Sequence, residues 1–314
     1  MSTPDKPLPD SYLTYPFRRP GMDHSRYTPA NTFKRRPVTW PHGARIALWI
    51  VPTLEFFPLD MDPKLVKPPG ALDRPYPDYW NYTLRDYGNR VGFARLFRAL
   101  EQRGLKASVA MSSRLPERYL HVMHEVRRLG FEVIAHGVDM GRLHTTGIAI
   151  ETERDWVRQS LETLRRLSGQ PVTGWYSPAH AESHTTLDLV AAEGCSYVCD
   201  WVNDDMPYPL HTTAGQLHAM PHAHEISDLQ LFHTYRYQPP QFVQQVTDHF
   251  DWLYREAGRS DCGGRIVALS LRPWLSGVPH RIAAIERVLD HITAHAGVWS
   301  ATGAEILAAW TAQQ

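Results

Sequence analysis

Glu55, His136 and Arg272 each stand directly after a short apolar run, and they supply a carboxylate, an imidazole and a guanidinium. A carboxylate or an imidazole can take a proton from water. A guanidinium, with a pKa above about 12, keeps its proton and serves as a fixed positive charge for an oxyanion or a carboxylate. Together they would be a base, a proton shuttle and an anion holder, the equipment of a hydrolytic reaction. Burial beside Phe56 and Phe57 would raise the pKa of Glu55 and favour it as the base. Other chemistries fit the same residues: Glu55 and Arg272 could form a structural ion pair, and His136 could bond a backbone carbonyl inside a core. His222 and His224, with His144, are the one place where histidines other than His136 could build a metal site, since two residues apart on a strand share a face.

These residues need a frame to bring them together. The stretches Ala44–Pro52, Lys106–Met111, Phe131–His136, Val172–Tyr176, Ser196–Trp201 and Arg265–Leu271 read as buried strands, with a weaker one near Leu217–Met220 and a short one at Val298. Helical periodicity fills the intervals at 91–100, 117–129, 151–167, 185–193, 241–257 and 279–294, several ending at a glycine such as Gly130 or Gly169. Strand and helix alternate over most of the chain, which predicts a parallel sheet, closed as a barrel or doubly wound. Ligand sites in such folds form at the carboxyl ends of the strands. Those ends carry Glu55, His136, Trp175, Tyr176, Pro178, Asp200, Trp201, Asp205, Glu225, Arg272 and Trp274. The tryptophans offer either a flat platform for a sugar or ureide face or ordinary packing. Asp200 is expected to neutralise Arg272.

Composition narrows the partners. The chain has 314 residues, with Lys+Arg and Asp+Glu equal at 33 each, so no long-range field draws it to nucleic acid or an anionic membrane. No run of apolar residues is long enough to span a bilayer, and the N-terminus lacks the apolar core of a signal peptide. The three cysteines lack the spacing of a redox or zinc pair, and a reducing, cytoplasmic setting is expected. The first 77 residues are rich in proline, so residues 1–43 read as an extension wrapping a domain at 44–314.

Five stretches carry a resemblance: RDYGNRVGFARLFRALEQRGLKASVAM (85–111), GFEVIAHG (130–137), GWYSPA (174–179), YVCDWVNDDMPY (197–208) and LRPWLSGVPHRI (271–282). In this order they resemble the polysaccharide deacetylase (NodB homology) superfamily, in particular its branch of metal-independent allantoinases and peptidoglycan-deacetylase-like proteins. The resemblance implies an α/β fold, a distorted (β/α) barrel of about seven parallel strands. It also implies hydrolysis of non-peptide carbon–nitrogen bonds, commonly in a homo-oligomer. The metal-binding members carry an Asp-Asp pair after the first strand, where this chain reads Thr53-Leu54-Glu55-Phe56. Their histidine pair reads His136 and Met140 here, and the histidine of their fifth motif is Arg272. One of three metal ligands remains, and a thioether is a poor partner for zinc. The expectation is therefore an allantoinase-like hydrolase of a small amide, ureide or N-acetyl sugar, using Glu55, His136 and Arg272 without a metal. Two other readings stay open. One is a catalytically silent relative that binds a metabolite or partner. The other is a zinc enzyme combining His136 with His144, His222 or His224.

Overall fold

The computed structural model describes residues 14–18, 23–61 and 76–314. Of the proline-rich extension expected to wrap the domain, residues 1–13 and 19–22 lie outside the described residues. What is described of it packs on the domain: Arg26 bonds Asp188, Arg35 bonds Asp204, and Trp40 Nε1 donates to the Arg265 carbonyl at 3.0 Å.

Among the described residues nine strands form one sheet: β1 (Ile46–Leu54), β2 (Ser108–Met111), β3 (Glu132–Ala135), β4 (Gly174–Trp175), β5 (Tyr197–Val198), β6 (Tyr208–Leu210), β7 (Leu217–Ala219), β8 (Arg265–Leu271) and β9 (Val298–Ser300). Their order is β6-β7-β5-β4-β3-β2-β1-β8, with β9 also on β1. Every pairing is parallel except β6 with β7. The sheet curls into a mostly parallel half-barrel of NodB type, as expected. The helices are α1 (Tyr79–Tyr87), α2 (Phe93–Glu101), α3 (Leu115–Arg118), α4 (Leu120–Arg128), α5 (Ile150–Ser168), α6 (Thr186–Ala192), α7 (Pro239–Glu256), α8 (Pro273–Ser276), α9 (Pro279–Thr293) and α10 (Gly303–Thr311).

Strand alternation sorts the apolar residues into two cores. On β1, Ala47, Trp49 and Val51 face the barrel interior with Ile134, Tyr176, Tyr197 and Ala268, whereas Ile46, Leu48 and Ile50 face the helices. Every residue of β1 is buried, which explains its unbroken apolar run.

The amino ends of the strands are closed by a polar knot. Glu132 accepts from Tyr197 Oη at 2.8 Å, from the Gly303 N–H at 2.9 Å and from Ser108, whose hydroxyl also takes the Trp49 indole N–H at 2.9 Å. Gly303 is needed here because a Cβ would lie 2.7 Å from Tyr197 Oη. The first turn of α10 thus seals the floor of the barrel.

Candidate active site

Counting by twos along the strands puts four side chains on the interior face at the open end. Glu55 continues the parity of Val51, His136 that of Ile134, and Arg272 that of Ala268, while Tyr176 is itself interior. All four are buried.

They are directly bonded. Arg272 Nε donates to Glu55 Oε1 at 3.0 Å, and the Trp274 indole N–H donates to Glu55 Oε2 at 3.0 Å. Arg272 Nη2 donates to Tyr176 Oη at 3.0 Å, and the same oxygen lies 2.9 Å from His180 Nε2. His136 Nδ1 donates to the Tyr176 carbonyl at 2.8 Å. A carbonyl only accepts, which assigns the proton to Nδ1 and leaves a lone pair on Nε2. That Nε2 is buried without a hydrogen-bond partner and lies 3.9 Å from Glu55 Oε1. Asn89 holds the strand end by donating to the Glu55 carbonyl at 2.9 Å.

Burial alone would raise Glu55, but the Arg272 charge, the nearness of His136 and the bond from Trp274 outweigh it and hold the carboxylate at about 2. The raised pKa expected from Phe56 and Phe57 is thus corrected: the guanidinium beside it decides the sign. Behind Arg272 stands Asp228, whose Oδ2 accepts from the Arg272 N–H at 2.5 Å and whose Oδ1 lies 3.7 Å from Nη1. Burial pushes Asp228 up to about 6 against the opposing pull of Arg272 and of the Ser276 bond. Asp228 rather than Asp200 therefore backs Arg272, a second correction. Asp228 lies in a segment without strand or helix periodicity; the only hint of it was that a buried guanidinium needs more than one carboxylate.

Asp200 has different company. Its Oδ1 accepts from the Ser177 N–H at 2.8 Å and lies 3.9 Å from His180 Nδ1. Burial, then the Asp200 charge, push Glu182 well above the usual carboxylate range, and burial also raises Asp200. Burial and the Arg272 charge hold His180 down at about 3, so it is neutral. Neither His180 nor Glu182 was singled out from the sequence; they follow strand β4 in a loop whose histidine and carboxylate carried no spacing signal.

Of the other expected contacts, Trp274 touches Glu55 directly. Trp175 does not face the mouth: one residue out of phase with Tyr176, it sits in the outer core with its ring edge-on to His144 at 5.5 Å. Pro178 packs against Gly137, where a Cβ would lie 2.5 Å from its Cγ. Trp201 lies edge-on to Tyr27 at 5.7 Å and donates its indole N–H to Glu182 Oε2 at 3.0 Å. Asp205 and Glu225 are exposed and border His249 instead of Arg272, because they lie beyond the barrel wall.

The donor set does not fit a divalent cation at this mouth. Phe56 and Met140 occupy the two positions where the resemblance would place ligands, and they lie side by side, the Met140 N–H donating to the Phe56 carbonyl at 2.8 Å. Glu55, the carboxylate next to Phe56, is already bonded to a guanidinium. His144 pairs with Glu153 at 3.0 Å in the outer layer, and neither it, His222 nor His224 comes into a ligand group with His136: among the described residues, the group of three with mutually close donor atoms is elsewhere, at Asp251, His291 and His295.

A curled parallel sheet with a charged, hydrogen-bonded cluster at its carboxyl ends defines an α/β protein of the NodB class. Residues 80–198 match the family model described as polysaccharide deacetylase. A Schizosaccharomyces pombe protein assigned to the polysaccharide deacetylases is 24% identical over 248 residues, 73% of this chain and 75% of the relative. A peptidoglycan deacetylase of Helicobacter pylori is 24% identical over 255 residues, 70% of this chain and 84% of the relative. The crystal structure of an allantoinase shares the fold, with a TM-score of 0.78 at 23% identity over 92% of this chain and 99% of that one. Over residues 80–198 the chain is thus similar to the polysaccharide deacetylases, and its fold is theirs. No helix of the described residues is long and apolar enough to cross a membrane.

Proposed function

We propose that this protein hydrolyses a non-peptide carbon–nitrogen bond of a small amide or ureide, in the manner of an allantoinase, with side chains in place of a metal. The observation that carries this reading is the unpartnered lone pair of His136 Nε2, aimed beside Glu55 and bordered by Arg272 and Tyr176. In this reading the attacking water is held between His136 Nε2 and Glu55 Oε1, which lie 3.9 Å apart. His136 takes its proton as the oxygen attacks the carbonyl carbon, and Glu55 stabilises the resulting imidazolium. With a pKa near 2, Glu55 is too weak a base for that step and is the orienting charge instead. Arg272 and the Tyr176 hydroxyl face the developing oxyanion, where one preorganised donor contributes roughly 3 to 4 kcal/mol. His136 then returns the proton to the leaving nitrogen, giving an acid and an amine or ammonia.

The test is product release from a panel of ureides, formamides and N-acetyl sugars. Chelator-insensitive turnover that His136→Asn abolishes supports the proposal. Turnover lost to chelator and restored by zinc would overturn the metal-free chemistry. A second reading has its own support: Glu55 is saturated by Arg272 and Trp274, as expected of a silent relative that only binds a metabolite. Ligand-dependent thermal stabilisation without any turnover would establish that reading. Assembly of several copies belongs to the same proposal, supported by the fully exposed Phe33 and measured by light scattering.

A further inference from the structure

We propose that the outer helical layer carries a binding site for one late first-row divalent metal ion, zinc or its neighbours, formed by Asp251 of α7 with His291 and His295 at the end of α9. One donor atom from each lies within 4.8 Å of the other two. No part of the barrel mouth takes part, so the site stands apart from the proposed hydrolysis.

Several features preorganise it. His291 stands in the last turn of α9 and His295 two residues past its end, with ring centroids 5.0 Å apart. His295 Nδ1 donates to the His291 carbonyl at 2.8 Å, which leaves the Nε2 lone pair for a ligand; an outer bond of this kind is what fixes the tautomer of metal-bound histidines. Phe250 packs edge-to-face with both rings, at centroid distances of 5.7 Å and 4.9 Å. Asp251 Oδ1 already meets His291 Nε2 at 2.7 Å. On binding, the His291 proton moves to Nδ1 and the cation takes its place between imidazole and carboxylate. All three side chains are only half-buried, so a fourth position is open to water, and Asp248 borders the same cleft one turn earlier on α7. The carbonyl end of α9 adds a favourable field for a cation.

The one cation lining the cleft is engaged elsewhere. Arg255 lies over the Trp252 ring at 5.1 Å and donates through Nε to the Asp251 carbonyl. Two imidazoles and one carboxylate suit zinc, cobalt, nickel or copper rather than calcium or magnesium, which take oxygen ligands. The ion would pin α7 to α9 across the outside of β8.

The experiment titrates the full chain, freed of metal with chelator, with zinc chloride by calorimetry and with cobalt chloride by visible absorption. Expected are one ion per chain, the intense visible bands of tetrahedral cobalt, and a higher unfolding midpoint with zinc. His295→Asn and Asp251→Asn should each weaken zinc binding at least about tenfold. His136→Asn should leave it unchanged. Absence of stoichiometric binding, or binding that His295→Asn leaves intact, would overturn the site. Binding lost in His136→Asn instead would move the ion to the barrel mouth and overturn it equally.

Discussion

Arg272 Nε and Glu55 Oε1 meet at 3.0 Å across 217 residues of chain, in a pair almost wholly withdrawn from solvent. Desolvating both charges is costly, and their attraction with the flanking Trp274, Tyr176 and Asp228 contacts offsets it. The pair makes stability depend on pH. Glu55 titrates at about 2 in the folded protein against 4.5 for an ordinary glutamate. A depressed carboxylate contributes its stability above the unfolded value and loses it as pH falls through the folded one. Roughly 3 kcal/mol should therefore disappear between about pH 4.5 and pH 2. Glu55→Gln should remove this acid dependence and lower stability near pH 7 by about 3 to 5 kcal/mol, read by urea denaturation at a series of pH values.

Asp228 behaves oppositely. Its folded value of about 6 exceeds the ordinary 3.8, so the folded state holds the extra proton and stability falls as pH rises from about 4 to 6. Asp228→Asn keeps an acceptor for the Arg272 N–H and the Ser276 hydroxyl, and should flatten that limb of the stability curve. An unchanged slope would show that Asp228 is ionised throughout.

Tyr176→Phe keeps the buried ring and deletes the hydroxyl that joins Arg272 to His180. Under the proposed chemistry kcat/KM should fall about 10²-fold with KM little altered. The unpaired guanidinium N–H should cost a further 1 to 3 kcal/mol of stability, roughly. If the hydroxyl is only a structural link, stability alone changes.

Gly137→Ala meets two obstacles at once. The residue has φ +62°, and a Cβ would approach Pro178 Cγ to 2.5 Å. Thermal denaturation should show a loss of about 1 to 3 kcal/mol, and because His136 is the adjacent residue, turnover should drop more than stability does.

What the sequence disclosed follows from burial. Strand β8 was legible to the residue because its run is covered on both faces, and Gly130 and Gly169 mark helix ends through their positive φ. Short strands were overread: β4 is only Gly174–Trp175, since Val172 has φ +42° and cannot join the ladder. The helix expected over 117–129 is two, broken at Tyr119, where φ is −124° and ψ 62°. Helix α1 hid behind prolines, although Asp78 caps it by accepting from the Asn81 N–H. At the site, period-two counting alone would have separated Tyr176 from Trp175. Asp228, His180 and Glu182 were beyond reach, because pairing between distant loops leaves no periodic trace.

The Glu132 knot has one more consequence. With the amino end stoppered by Tyr197, Ser108 and the start of α10, a ligand reaches Glu55 through the mouth at the carboxyl ends of the strands. Reactant arrival and departure of both fragments must share it in turn. The fragment held deeper leaves last, an order that inhibition by each product would reveal.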